Sequence, residues 1–206
     1  MKKTPFFQIK NLLVALLLAT MLLTTSCKQQ AKEIEPFKVE HVSWVPSATI
    51  YEVNVRQFTP EGTFKAFETH LPRLKELGVD VLWFMPIHPI GVENRKGSLG
   101  SYYSVKDYYG INPEFGTLDD FKSVVAKAHE LGMKVIIDVV ANHTSHDAVL
   151  IAEHPDWYVR DSTGKVVSPF DWTDVAKLDY SKPGLRKYMI DMLKYWVKDI
   201  NLDGFR

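Results

Sequence analysis

Three stretches of the chain share one design: KELGVDVLWFMPI at residues 75–87, HELGMKVIIDVV at 129–140 and KDINLDGFR at 198–206. Each runs from the charged end of a helix through a tight turn into a short apolar strand. An apolar, β-branched run bounded by turn residues is the mark of a strand covered on both faces, as in parallel sheets. Parallel neighbours need long crossovers, usually helical and right-handed. The repeat therefore predicts βα units feeding one parallel sheet.

The stretches between fit that plan. IYEVNVRQF at 50–58 alternates apolar and polar side chains and is expected to be the first strand. Phe64, Phe67, Leu71, Leu74 and Leu77 recur at helical spacing, closed by Gly78, although Pro72 inside the run works against an unbroken helix. The second strand is expected over 79–87. A helix over 118–131 turns Phe121, Val124, Val125, Ala128 and Leu131 inward and is capped by Gly132, and the third strand, 134–140, follows directly. A last helix, 183–198, starts on Pro183 and carries Leu185, Met189, Met192, Leu193, Trp196 and Val197 on one side. A fourth strand begins near Leu202. A closed (β/α)8 barrel takes about 250 residues, and the chain has 206. The expected fold class is α/β: the N-terminal half of a (β/α)8 TIM barrel with a short inserted segment after strand 3, cut within strand 4. An open doubly wound sheet is the competing arrangement, but neither a G-x-G-x-x-G nor a G-x-x-x-x-G-K-[ST] follows any strand, which argues against nucleotide binding.

The N-terminus follows a different rule. Met1, Lys2 and Lys3 are followed by an almost wholly apolar run at 12–23, too short to span a bilayer comfortably and suited to the core of a signal peptide. Thr24, Thr25 and Ser26 precede Cys27, the one cysteine, so no internal disulfide can form. The arrangement resembles a bacterial lipoprotein signal, in which that cysteine becomes the lipidated first residue; Thr24 stands where Leu is commonest. Ordinary cleavage with a free thiol, or an uncleaved anchor, are the other readings. The expected division is a lipoprotein-type signal peptide over 1–27, a polar tether over 28–48 broken by Pro36 and Pro46, and the barrel portion over 49–206. The expected location is outside the bacterial cytoplasm, in the periplasm or on the cell surface, with a lipid at Cys27 holding the protein to a membrane. The formal net charge of +0, with bases scattered among acids, predicts no nucleic-acid partner.

In parallel α/β folds, chemistry sits beyond the carboxyl ends of the strands. There the third strand breaks into Asp138, Asn142, His143, Thr144 and Ser145. Two connections, 89–117 and 142–181, are longer than closure of the units requires and are candidates for a binding rim. They carry Tyr102, Tyr103, Tyr108 and Tyr109, then His143, His146, Trp157, Tyr158 and Trp172. Flat amphipathic rings beside carboxylates, amides and imidazoles suit a sugar, which has an apolar C–H face and a girdle of hydroxyls; for any single ring, core packing is the competing role. His143 and His146 lack a third ligand at helical spacing, so they read as solvated or sugar-facing rather than metal-binding. Asn142-His143-Thr144 also matches the glycosylation sequon, which weighs little behind a bacterial-type signal. Asp138, Asp174 and Asp179 are candidates for acid chemistry near the strand ends or rim, but nothing in the sequence shows any two of them forming a close pair, and they are read as structural or binding groups.

DVVANHTS resembles the first signature region of the α-amylase family of glycoside hydrolases, glycoside hydrolase family 13. DGFR resembles the opening of its second region, SYYSVKDYYGINPEFGT the segment between the second and third barrel strands, and IYEVNVRQF the first strand. The resemblance implies retaining hydrolysis of α-glucosidic bonds in starch, maltooligosaccharides or related α-glucans. It implies that Tyr103, four residues before Asp107, stacks on the sugar next to the cleaved bond and that His143 hydrogen-bonds the same sugar. Asp138 supports the site, and Arg206 orients a nucleophilic carboxylate expected just beyond it, so this chain alone is expected to be inactive. Asn142 matches a position that binds calcium in many members, while Lys177 stands where many place a second ligand. The competing function is a non-catalytic carbohydrate-binding or scaffold protein on the same fold.

Overall fold

The computed structural model describes residues 40–206. The expected signal peptide, the lipidation at Cys27 and most of the tether lie outside the described residues. In chain order the elements of the unit Ser43–Arg206 are β1 (Ile50–Val53), α1 (Val55–Phe58), α2 (Phe64–Glu68), α3 (Leu71–Glu76), β2 (Val81–Phe84), α4 (Leu118–Glu130) and β3 (Lys134–Ile137). They continue with β4 (His143–Ser145), α5 (Val149–Glu153), β5 (Val175–Lys177), α6 (Pro183–Lys198) and β6 (Gly204–Phe205), with 3-10 turns at Val45–Ser47 and Pro155–Trp157. Among the described residues no helix is long and apolar enough to cross a membrane.

The four expected strands form one parallel sheet in the order β1-β2-β3-β6. Val53, Phe84, Ile137 and Phe205 are ladder partners in turn, so the carboxyl ends of all four strands finish at one level. Leu82, Phe84, Val135 and Ile137 are fully buried under the helices. Phe84 packs edge-on against Phe67 of α2 at 5.2 Å and Phe121 of α4 at 5.6 Å. Truncating a phenylalanine so enclosed costs about 3–5 kcal/mol. Glu52, Trp83, Ile136 and Gly204 are ladder partners on the opposite face.

Several boundaries differ from expectation. The first strand stops at Val53, and residues 55–58 form α1, because Val55 and Phe58 also satisfy an i, i+3 helical spacing: Val55 is buried and Phe58 packs on Phe67 at 4.8 Å. The helix expected over 64–77 is two, α2 capped by the Thr63 hydroxyl on Ala66 N at 3.3 Å and α3 restarting with Pro72 in its first turn, where its missing N–H costs nothing. Strands 2 and 3 are shorter than their apolar runs, ending at Phe84 and Ile137. The helix over 118–130 keeps its expected face and adds a capping box between Thr117 and Asp120. Gly132, at φ 75, takes the left-handed position that ends it. The inserted segment after β3 contains a two-stranded antiparallel ladder, β4 with β5, in which His143 faces Lys177 and Ser145 faces Val175.

Candidate active site

Asp138, immediately after β3, is the centre of the cluster. Its side chain is 1% exposed, and a buried carboxylate persists only when donors surround it. Trp83 Nε1 donates to Oδ1 at 3.0 Å, Arg206 Nη1 to the same oxygen at 3.3 Å, and the Tyr103 hydroxyl to Oδ2 at 2.8 Å. Register explains the meeting: Trp83 precedes Phe84, Asp138 follows Ile137 and Arg206 follows Phe205, so all three fall on the face opposite the helix-covered one. Arg206 also lies over the Trp83 ring, 4.8 Å from its centroid, and its backbone continues the ladder through Arg206 N to Ile137 O at 3.0 Å. The Arg206 side chain is 57% exposed, so solvent screens the ion pair. The arginine is held in place with part of its guanidinium free to meet another anion.

Burial first, then the hydrogen bond to Asp138, pushes the Tyr103 phenol up to about 12, so it stays a donor at any working pH. His143 opens β4 and is buried. That burial lowers its pKa, with the Tyr103 backbone and Asp174 working the other way, and the ring is neutral at pH 7. Asn142 Nδ2 lies 3.1 Å from His143 Nδ1; with the amide as donor, the ring proton sits on Nε2. The Tyr108 hydroxyl braces the corner, donating to Val140 O at 2.6 Å and His143 O at 3.1 Å.

Tyr103 and His143 border a cavity of about 400 Å³ together with Ser101, Lys96, Trp172 and Asp174. Trp172 stands edge-on to His143 at 5.6 Å. Lys96 reaches across from the other long connection to the buried Asp174 carboxylate at 3.1 Å, and Ser104 Oγ donates to Asp174 O at 3.0 Å. The cavity therefore offers phenol, imidazole and indole surfaces with a neutralised ion pair, which suits an uncharged, hydroxyl-rich ligand with an apolar face.

The structure thus joins Tyr103, Asp138 and Arg206 directly and sets His143 beside Tyr103. It sorts the other rings differently. Tyr108 and Tyr158 are buried in the core, Tyr109 packs on Tyr188 and Tyr195 of α6, and the Tyr102 hydroxyl holds Asn54 at 3.0 Å. His146 pairs with the carbonyl of Thr173 at 3.2 Å. Asp179 caps Ser181 N at 3.0 Å and lies in a separate depression with Arg160 and Lys182. Among the described residues, the single carboxylate bordering the cavity is Asp174, already held by Lys96. Sequence reasoning missed Trp83 and Lys96. Trp83 left one usable signal, its place in a strand beside the one that delivers Asp138.

Calcium takes six to eight oxygen ligands. Asn142 points its amide nitrogen at His143, its backbone carbonyl accepts from Leu178 N at 3.2 Å, and Lys177 is the ladder partner of His143. Among the described residues no three His, Cys, Asp or Glu side chains converge as a metal site. One amide oxygen near a lysine does not make a calcium shell, and the described residues do not fit the ion.

Comparison with known proteins places this geometry in context. The family model "Alpha amylase, catalytic domain" matches residues 29–206. Maltase A2 of Drosophila melanogaster is 28% identical over 231 residues, covering 92% of this chain and 38% of the maltase. The crystal structure of an alpha-amylase from Lactobacillus plantarum superposes with a TM-score of 0.75 at 51% identity, over 77% of this chain and 37% of that one. An alpha-amylase from Geobacillus thermoleovorans complexed with acarbose gives a TM-score of 0.66 at 29% identity, over 81% and 40%. The chain spans under half the length of each of these relatives.

Proposed function

The chain belongs to the alpha-amylase catalytic-domain family, and from that premise we propose that it serves retaining hydrolysis of α-glucosidic bonds in starch, maltooligosaccharides or related α-glucans. The observation that carries the reading is the junction of Tyr103, Asp138 and Arg206 at the strand ends, beside the cavity that His143 borders. The acarbose complex of the Geobacillus relative supports an α-glucan-like ligand.

Each residue then has a task. The Tyr103 ring stacks on the sugar next to the bond that is cut, and its hydroxyl, fixed by Asp138, sets the angle of the ring. His143 donates Nε2–H to a hydroxyl of the same sugar, a hydrogen bond that its neutral state and the Asn142 contact orient in advance. Asp138 positions Trp83, Tyr103 and Arg206 and does not touch substrate. Arg206 presents its free guanidinium edge to the nucleophilic carboxylate, and a cation so placed lowers that group's pKa and keeps it anionic. In a retaining mechanism the carboxylate forms a glycosyl-enzyme while a second carboxyl group protonates the leaving oxygen and then activates water. Those two groups lie outside the described residues.

The test is proton NMR of maltoheptaose incubated with a full-length protein that carries this chain together with those two carboxyl groups, and with its His143→Ala variant. Initial release of the α-anomer, slowed about a hundredfold or more in the variant, is the expected result. Acarbose binding without any turnover would instead mark a carbohydrate-binding member of the fold. The N-terminal reading carries over as part of the proposal: export, and a lipid on Cys27 that tethers the protein to a membrane. Metabolic labelling with tritiated palmitate tests it, with Cys27→Ser expected to abolish the label.

A further inference from the structure

Asp147 does not border the cavity, yet it holds together the two long connections that do. The connection 89–117 doubles back on itself near its start: Gly91 N donates to Ser104 O at 2.9 Å, Lys106 N to Pro89 O at 2.8 Å, and Ile90 bridges to Val105. Two arms result, one carrying Val92 and the other Lys106. The Asp147 carboxylate accepts Val92 N at 3.2 Å through Oδ1 and 3.1 Å through Oδ2, and Lys106 Nζ at 3.0 Å through Oδ2. A single side chain of the second connection thus grips both arms of the first. The backbone follows the same seam, with Ser145 N donating to Val105 O at 2.8 Å and Val149 N to Lys106 O at 3.0 Å. Tyr103 stands three residues before Lys106, and His143 four before Asp147. Burial pushes the Asp147 pKa up, but Lys106 and Val92 N outweigh that and hold the carboxyl below its ordinary value, so it is charged at neutral pH. Hydrogen bonds to an ionised carboxylate are among the stronger ones. Lys106 is 39% exposed, so solvent screens its share and Val92 N carries more of the grip.

We propose that Asp147 is a positioning residue for the hydrolysis: it locks the first connection to the second and so sets Tyr103 and His143 at the separation that grips the reacting sugar. The proposal rests on the α-glucan reading of the cavity and adds to it a residue that touches no substrate. The Lys96–Asp174 pair also joins the two connections, but both its members border the cavity, where a bound sugar meets them. Asp147 keeps its partners whether the cavity is filled or empty, which suits a fixed brace.

The experiment is a double-mutant cycle of Asp147→Ala with His143→Ala, reading kcat and KM for maltoheptaose in the full-length protein that carries this chain together with the two reacting carboxyl groups. Alone, Asp147→Ala is expected to lower kcat about thirtyfold with KM little changed, because a group displaced at the reacting sugar is felt in the transition state. Beside His143→Ala it should cost about threefold or less, since the contact it sets is already gone. Asp147→Asn, which keeps an oxygen for Val92 N, should recover most of the loss. Equal losses in both backgrounds, or full activity of Asp147→Ala, overturn the positioning role and leave the α-glucan site standing. If Asp147→Ala does not fold, Lys106→Met carries the cycle: a loss of about fivefold that shrinks to about twofold or less beside His143→Ala supports the role, and equal losses overturn it. A wild-type protein that turns over no α-glucan overturns the reading of the cavity itself, and the role of Asp147 with it.

Discussion

Acid should unfold this protein through one histidine remote from solvent. His88, just beyond β2, is 2% exposed, with Nδ1 3.1 Å from Gly110 O and its ring edge-on to Trp196 at 5.4 Å and Tyr108 at 6.2 Å. Burial lowers its pKa from 6.5 to about 4, with the Gly110 carbonyl and Asp107 offsetting only part of the effect. A base whose folded pKa is depressed takes up its proton more readily when unfolded. Its contribution is therefore complete above the unfolded value and is lost as pH falls from about 6.5 toward 4. Each unit of difference is worth about 1.4 kcal/mol, which gives a loss of about 2 kcal/mol between pH 7 and 5, and about 3 kcal/mol by pH 4. Urea unfolding followed by tryptophan fluorescence at several values across that range measures it. His88→Gln, which keeps a donor for Gly110 O but cannot charge, should be less stable at neutral pH and flatter in its pH dependence by about 2 kcal/mol between pH 7 and 5. His143 has a lowered pKa too and acts in the same direction, but it is present in both proteins and cancels. Parallel curves for wild type and variant would refute the reasoning.

Other perturbations test the site and its frame. Asp138→Asn puts an amide N–H against either the Trp83 and Arg206 donors or the Tyr103 hydroxyl, and should cost about 3 kcal/mol of unfolding free energy in urea; a loss below about 1 kcal/mol would mean that these contacts carry little. Gly91→Ala would place a methyl 2.1 Å from Ser145 Cβ and 2.6 Å from Asp147 Oδ1. Because Ser145 is wholly buried in β4, the 89–117 connection must lift, with an expected loss of about 1–3 kcal/mol and weakened acarbose binding; wild-type values for both contradict the close approach. Treatment with EDTA should leave Tm unchanged, since the described residues offer no calcium shell, and a fall restored by added calcium would reverse that conclusion.

The βα order was legible because each signal is local: apolar runs, Gly78 and Gly132 after helices, Pro183 at a helix start. Asp138, His143, Tyr103 and Arg206 were singled out through short motifs, and the structure brings Tyr103, Asp138 and Arg206 into contact, with His143 beside the same cavity as Tyr103. What escaped depends on contacts between distant parts. HTS at 143–145 is too polar to announce a strand, and only pairing with Val175–Lys177 makes it one. Lys96 looks like any surface lysine until the first long connection brings it to Asp174. Four tyrosines at 102–109 read alike in sequence, whereas in the structure one faces the cavity, one is core, one packs on α6 and one holds Asn54. Phe58 and Val55 fit strand and helix patterns equally, and tertiary packing on Phe67 decides.

The donors around Asp138 are separated from it along the chain by 55 residues for Trp83, 35 for Tyr103 and 68 for Arg206. Contacts of that span form late, because loop closure must be achieved before they return anything. Trp83 reaches the carboxylate through the pairing of β2 with β3, and Arg206 through the pairing of β3 with β6. Without β6 in place, Asp138 would keep the Trp83 and Tyr103 donors and lose that of Arg206. The docking of β6 therefore delivers the Arg206 donor, which ties the hydrogen bonding at Asp138, and through it the setting of Tyr103, to the pairing of β3 with β6.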